Sequence, residues 1–257
     1  MLANAPDLQK LHYAFVLRNV KTPWTLDQYR TYFGFLAEAR TKSGGASYQG
    51  FINNMEKDAF ANATDESRLA IEAAGLRTPY KPKALPKAIG PGRDWTTADI
   101  VALEPKLKGR NFKAGERAFA AARCVVCHRV GGDGGATGPD LSQVAGRFGV
   151  KDLAEAIVEP SKVVSDQYKA SIVRTGAGKT LTGKLLGEQN GKLRILTDPE
   201  DSTKITEVAK EDVEEVRPSA VSLMPADLLK PLNESEVLDM LAYMLSRGDP
   251  GHAMFRK

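Results

Sequence analysis

Apolar residues recur at three- and four-residue spacing between Asp7 and Gly75, beginning with the stripe Leu8, Leu11, Phe15 and Val16. This is the period of amphipathic helices. Thr25 and Gln28 have the spacing of a capping box ahead of a helix over Leu26–Arg40. Two more helices are predicted over Ser47–Ala61 and Asp65–Ala74, the second ended by Gly75. From Thr78 to Asp94 the pattern breaks at Pro79, Pro82, Pro86 and Pro91, a composition that prefers extended backbone and reads as a linker. A short helix is predicted at Thr97–Leu103. Another runs over Phe112–Arg123, capped by Asn111 and leading directly into Cys124. A further one covers Lys151–Val158 and is stopped by Pro160.

After Tyr168 the period changes from helical to alternating. YKASIVRT, TLTGKLLGE, KLRILTD, TKITEVA and DVEEVRP each read as strands, with turns at Gly176–Gly178, Asn190-Gly191 and Asp198–Asp201. A last amphipathic helix spans Glu234–Ser246 and offers Val237, Leu238, Leu241, Tyr243 and Leu245 for burial. The predicted architecture is mainly α with a β insertion. A helical domain covers 1–77, a proline-rich linker with a short helix covers 78–110, and a third region covers 111–257. That region carries a small antiparallel sheet or barrel at about 168–217. No internal repeat is clear in 1–77, but successive helices of this length fit a small bundle or degenerate helical repeats.

Composition narrows the classes. The 257 residues are 42% hydrophobic and 26% charged, ordinary globular usage. The net charge of +4 is unevenly placed: residues 1–110 carry 16 basic and 11 acidic side chains, and residues 111–257 carry 20 and 21. No basic run has the density of a nucleic-acid arm, and Lys81, Lys83 and Lys87 are separated by prolines, so nucleic acid is not an expected partner. No apolar run reaches the ~18 residues of a membrane span. MLANAPDLQK lacks the charged start and apolar core of a signal peptide. Two cysteines, Cys124 and Cys127, exclude a multi-disulfide scaffold.

Those cysteines belong to Cys124-Val125-Val126-Cys127-His128, the C-x-x-C-H signature of c-type haem attachment. Two thiols at this spacing can each bond one vinyl group of a porphyrin, while the next residue brings its imidazole beneath the iron as proximal ligand. Three other readings compete. A thioredoxin-like pair should follow a strand of a βαβ unit, whereas a helix precedes this motif and a glycine-rich loop follows it. A zinc site needs a fourth ligand, and only His12 and His252, near the chain ends, remain. A disulfide leaves His128 unexplained.

The surroundings favour haem. After the loop Gly131–Gly135 comes Gly138-Pro139-Asp140-Leu141, a rigid turn whose carbonyl can accept the His128 Nδ1 hydrogen and fix the tautomer. Ser222-Leu223-Met224-Pro225 sets a thioether on a rigid loop just before the last helix, which suits the sixth iron position. Met240 and Met244 fit the last helix as packing residues, and Met254 lies in a tail expected to be mobile, with His252 beside it. Trp24 and Trp95 read as packing residues, and Gly176-Ala177-Gly178-Lys179 as a turn rather than a phosphate loop, because it joins two strands.

The order helix, CxxCH, GPDL, Met-Pro, C-terminal helix resembles class I cytochromes c. More narrowly, residues 111–257 resemble the haem-binding domain typical of planctomycetes and verrucomicrobia. The resemblance is carried by CVVCHRVGGDGGATGPDLSQVAGRF, AIVEPSKVVSDQY, SLMP and LDMLAYML. It implies one covalently attached haem c anchored by Cys124 and Cys127, with iron held by His128 and Met224 and Arg147 facing a propionate. It also implies that Gly115 and Phe119 cross near Tyr243. Larger members combine such a domain with a quinoprotein-like β-propeller and helical repeats. The helices of 1–75 resemble the end of such a repeat segment, and the resemblance implies that this chain would be a piece of a larger exported oxidoreductase.

The function expected from these residues is outer-sphere electron transfer with redox partner proteins, not catalysis, since both axial positions are filled. Haem c is attached outside the cytoplasm, so a periplasmic or otherwise exported location is expected, with the export segment removed or upstream. Two alternatives stand beside it: a haem enzyme or gas sensor in which Met224 leaves an open site, and an interaction scaffold in which haem is structural. The strand-rich stretch between His128 and Met224 is expected either to cover one haem edge and hold the Met224 loop or to dock a partner, the latter favoured by the acidic cluster Glu211, Asp212, Glu214 and Glu215.

Overall fold

In the computed structural model, residues 5–21, 24–42, 45–78, 84–201 and 204–256 are described. The chain divides into two compact units, 1–83 and 84–257.

The first unit consists of α1 (Asp7–Leu17), α2 (Leu26–Ala39), α3 (Gly45–Asn62) and α4 (Asp65–Ala73). The Thr25–Gln28 capping box forms as predicted. α4 closes as expected at Gly75, with the Leu76 N–H donating to the Ile71 carbonyl at 3.1 Å. The α1 stripe is corrected: Phe15 and Val16 are 39% and 51% exposed, while Ala14 is fully buried and Leu11 and Leu17 pack beside it. The side chain of Leu8 lies outside the described residues. Tyr32 sets this rotation, because its hydroxyl donates to the Ala14 carbonyl at 3.0 Å and turns that face inward. Trp24 packs on Tyr29 and Tyr32, ring centroids 5.1 and 5.2 Å away. His12 is exposed. Among the described residues, no helix is long and apolar enough to cross a membrane.

The second unit is built on α6 (Phe112–Ala121) crossed by α9 (Glu234–Leu245), with α5 (Thr97–Ala102), α7 (Cys124–Cys127) and α8 (Val150–Val158) around them. Asn111 caps α6 through the Ala114 N–H. The α6–α9 crossing is close enough to require glycine at 115: a Cβ there would stand 2.2 Å from the Asp239 carbonyl oxygen and 2.8 Å from Tyr243 Cβ. Phe112 and Phe119 flank Tyr243, with centroids at 5.3 and 5.6 Å. Met240 and Met244 are buried in the same core.

The expected linker over 78–110 divides. Pro79, Lys81, Pro82 and Lys83 lie outside the described residues, but 84–110 pack on the second unit. The Ile89 and Gly90 N–H groups donate to the buried Glu236 carboxylate at 2.7 and 3.1 Å, and Trp95 Nε1 donates to the Leu232 carbonyl at 3.1 Å. Backbone donors without a secondary-structure partner need such acceptors, and the one carboxylate serves two adjacent N–H groups of the proline-rich strap. The mobile tail is corrected as well. Arg110 N–H donates to the Met254 carbonyl at 2.9 Å, Phe255 meets Phe112 edge-on, and His252 caps Met254.

Five strands form where alternation predicts them: β3 (Ser171–Thr175), β4 (Thr180–Gln189), β5 (Lys192–Leu196), β6 (Ile205–Ala209) and β7 (Val213–Pro218). They make one antiparallel sheet in the order β6-β5-β4-β3-β7, so β6 and β7 are edges and the sheet is open rather than a closed barrel. Asn190 and Gly191 both take positive φ, 52° and 70°, in the two-residue β4–β5 turn. The sheet has its own small core of Val173, Ile195 and Val208, lined by Leu181, Leu185, Leu193 and Val213. The glycine-rich loop at 131–135, expected as coil, instead supplies the turn and second strand of a hairpin of β1 (Arg129–Val130) and β2 (Asp133–Gly134). Glu214 and Glu215 of the acidic cluster face Arg174 across β7 and β3.

Candidate haem site

Arg123, in left-handed conformation at φ 65°, breaks the chain between α6 and the single turn α7. Cys124 and Cys127 therefore stand at the two ends of one helical turn, both as free thiols. Cys124 is buried, and its surroundings push the thiol pKa up to about 12. Burial also raises that of Cys127. Neither is the activated thiolate of a redox pair.

His128 ends the turn with extended backbone, which swings its ring away from the helix. Its Nδ1 lies 2.9 Å from the Pro139 carbonyl oxygen, the partner the GPDL turn predicts. As a carbonyl only accepts, Nδ1 carries the hydrogen and Nε2 carries the lone pair. Burial lowers the His128 pKa, and the Pro139 bond partly opposes this, so the ring is neutral at neutral pH. The turn reaches the ring because residue 138 is glycine: a Cβ there would sit 2.8 Å from Cε1. The turn is tied down by Gly138 N–H to the Cys127 carbonyl and Leu141 N–H to the Arg129 carbonyl.

Met224 is partly buried against the helical core, its N–H donating to the Ser222 hydroxyl at 3.1 Å. Ser222 N–H in turn donates to the Ser161 hydroxyl at 3.1 Å, so two loops fix the segment. Arg147 is exposed and pairs with no acidic side chain among the described residues. Leu141, Val144, Phe119 and Ala122 add apolar surface to the same core.

The inserted sheet is expected to cover a haem edge, but the residues by which it reaches the cysteines are not legible in the sequence. The β5–β6 turn of the inserted sheet lies on the cysteine segment, with the Pro199 carbonyl oxygen 3.4 Å from Cys127 Sγ and 2.6 Å from Thr137 Oγ1. Arg123 reaches Glu200 through both Nε, at 3.0 Å, and Nη2. The pairing spans about seventy residues of sequence, and nothing in either segment's pattern announces it.

The donor set fits haem c: two neutral thiols one turn apart, then a neutral imidazole with a free Nε2 lone pair and an oriented Nδ1. It fits zinc poorly, since among the described residues no three of His, Cys, Asp and Glu converge. No curated protein matches the chain. The family model Cytochrome c matches residues 112–190, a stretch that holds Cys124, Cys127, His128, Pro139 and Arg147 but not Met224, and the match supports a c-type cytochrome in this part of the chain.

Proposed function

We propose that the second unit is a one-electron carrier holding a single haem c through thioethers to Cys124 and Cys127, with His128 and Met224 as axial ligands. The observation that carries this reading is the 2.9 Å pairing of His128 Nδ1 with the Pro139 carbonyl, directly after two free thiols. When bound, the group supplies a reversible Fe(II)/Fe(III) couple. The Pro139 carbonyl holds the imidazole in the tautomer that presents Nε2 and raises its basicity. Met224 offers a neutral, soft thioether, and methionine opposite histidine favours the reduced state. Phe119, Leu141 and Val144 keep water away, and Arg147, which pairs with no acidic side chain among the described residues, is available to a propionate. On this reading these residues would bind the group, orient it and exclude water, and none need act as acid, base or nucleophile.

The partners on this reading are redox proteins, and the location is outside the cytoplasm, where haem c is attached. The first unit, with its repeat-like helices, belongs on the same reading to a larger exported oxidoreductase. Near-infrared absorption of the ferric protein tests the ligand set. A sulfur-to-iron band is expected that disappears in Met224→Ala and persists in Met240→Ala. Tight CO binding by the untouched ferrous protein would contradict a filled sixth position and favour a gas sensor or haem enzyme.

A further inference from the structure

The inserted sheet reaches the cysteine segment through its β5–β6 turn. That turn is folded by its own bonds: Asp198 accepts from the Glu200 N–H at 3.0 Å and pairs with Lys204 at 2.9 Å. Asp201 N–H donates to the Asp198 carbonyl, and Thr197 N–H to the Lys204 carbonyl. This preformed turn presents the Pro199 carbonyl to two donors on the helical body, the Thr137 hydroxyl at 2.6 Å and the Cys127 thiol at 3.4 Å. The Arg123–Glu200 pair fastens it beside Cys124. The side chains gripping it come from residues immediately before, within and shortly after the C-x-x-C-H segment.

Resting on the haem reading above, we propose that this turn is a shield for the Cys127 side of the haem, with Thr137 as the positioning residue that holds it in place. A thioether at Cys127 has no proton to donate, so after attachment the Thr137 hydroxyl is the donor left to the Pro199 carbonyl. Whatever Cys127 Sγ carries has this turn as its neighbour. Removing water there raises the potential, because the ferric state bears one more positive charge and gains most from hydration. The Arg123 and Glu200 side chains are 51% and 41% exposed, so their pair is screened by solvent.

The test compares haem-loaded parent, Thr137→Val and Thr137→Ser by amide hydrogen exchange and potentiometric titration. Thr137→Val changes no charge and nearly keeps volume. It is expected to speed exchange over 197–201 up to about tenfold, the equivalent of one lost hydrogen bond, and to lower the midpoint potential. Thr137→Ser should restore both. Glu200→Arg should speed exchange up to about fivefold, as expected for an exposed pair, and the double variant Arg123→Glu/Glu200→Arg should reverse this. Unchanged exchange in Thr137→Val overturns the proposal, and so does faster exchange with an unchanged potential. A parent protein whose mass lacks haem overturns the haem reading itself, and this inference with it.

Discussion

The Nδ1 nitrogen of His128 is 2.9 Å from the carbonyl oxygen of Pro139, and the residue before that proline comes so close to the ring that it can only be glycine. One turn thus fixes both the tautomer and the orientation of the candidate ligand.

Gly138→Ala should disturb that relationship without replacing a candidate ligand. Its Cβ would stand 2.8 Å from His128 Cε1, so ring or turn must move. Overpacking of this kind costs about 1–3 kcal/mol. Loss of the Nδ1 hydrogen bond makes the imidazole less basic and so less able to stabilise ferric iron. The thermal midpoint should fall and the redox midpoint should rise, read by calorimetry and potentiometry.

Acid should loosen the proline-rich strap through Glu236. Burial works to raise its pKa, but the N–H groups of Ile89, Asn233 and Gly90, with Arg117, outweigh it and bring the net value below the ordinary one. A carboxylate whose folded pKa is depressed contributes stability above its unfolded value, about 4.3. That contribution is lost as pH falls from there through the folded pKa. Glu236→Gln should cost about 1–3 kcal/mol at neutral pH, as for hydrogen bonds to a charged group. It should also flatten the acid limb of a stability–pH curve measured by urea unfolding.

In the first unit, Glu56 is 4% exposed and sits between Arg40 at 2.5 Å and Arg77 at 3.2 Å. Removing it strands buried positive charge. Glu56→Ala should cost about 3–5 kcal/mol in the unfolding of that unit, followed by circular dichroism. The haem absorption bands of the second unit should not change.

Much of this was readable in the chain, for reasons that differ by element. The caps at Thr25 and Asn111, the Asn190-Gly191 turn and the five alternating runs are local, and local chemistry decided them. The His128–Pro139 pairing was legible because eleven residues with a rigid GPDL turn leave the carbonyl few places to go. What escaped depends on distant partners. Phe15 is exposed because Tyr32 turns Ala14 inward, and the strap at 84–94 is held where Glu236, far along the chain, accepts from the Ile89 and Gly90 N–H groups. Met254 is held by Arg110, and Pro199 meets Cys127 across 72 residues of sequence, a pairing that no single strand's pattern encodes.

Intact-protein mass spectrometry after co-expression with cytochrome c maturation machinery probes covalent haem attachment most directly. Under denaturing conditions the chain should keep the added mass of one haem, and the double variant Cys124→Ala/Cys127→Ala should lose it. A polypeptide of bare sequence mass, with any haem released on denaturation, would contradict attachment at these two thiols.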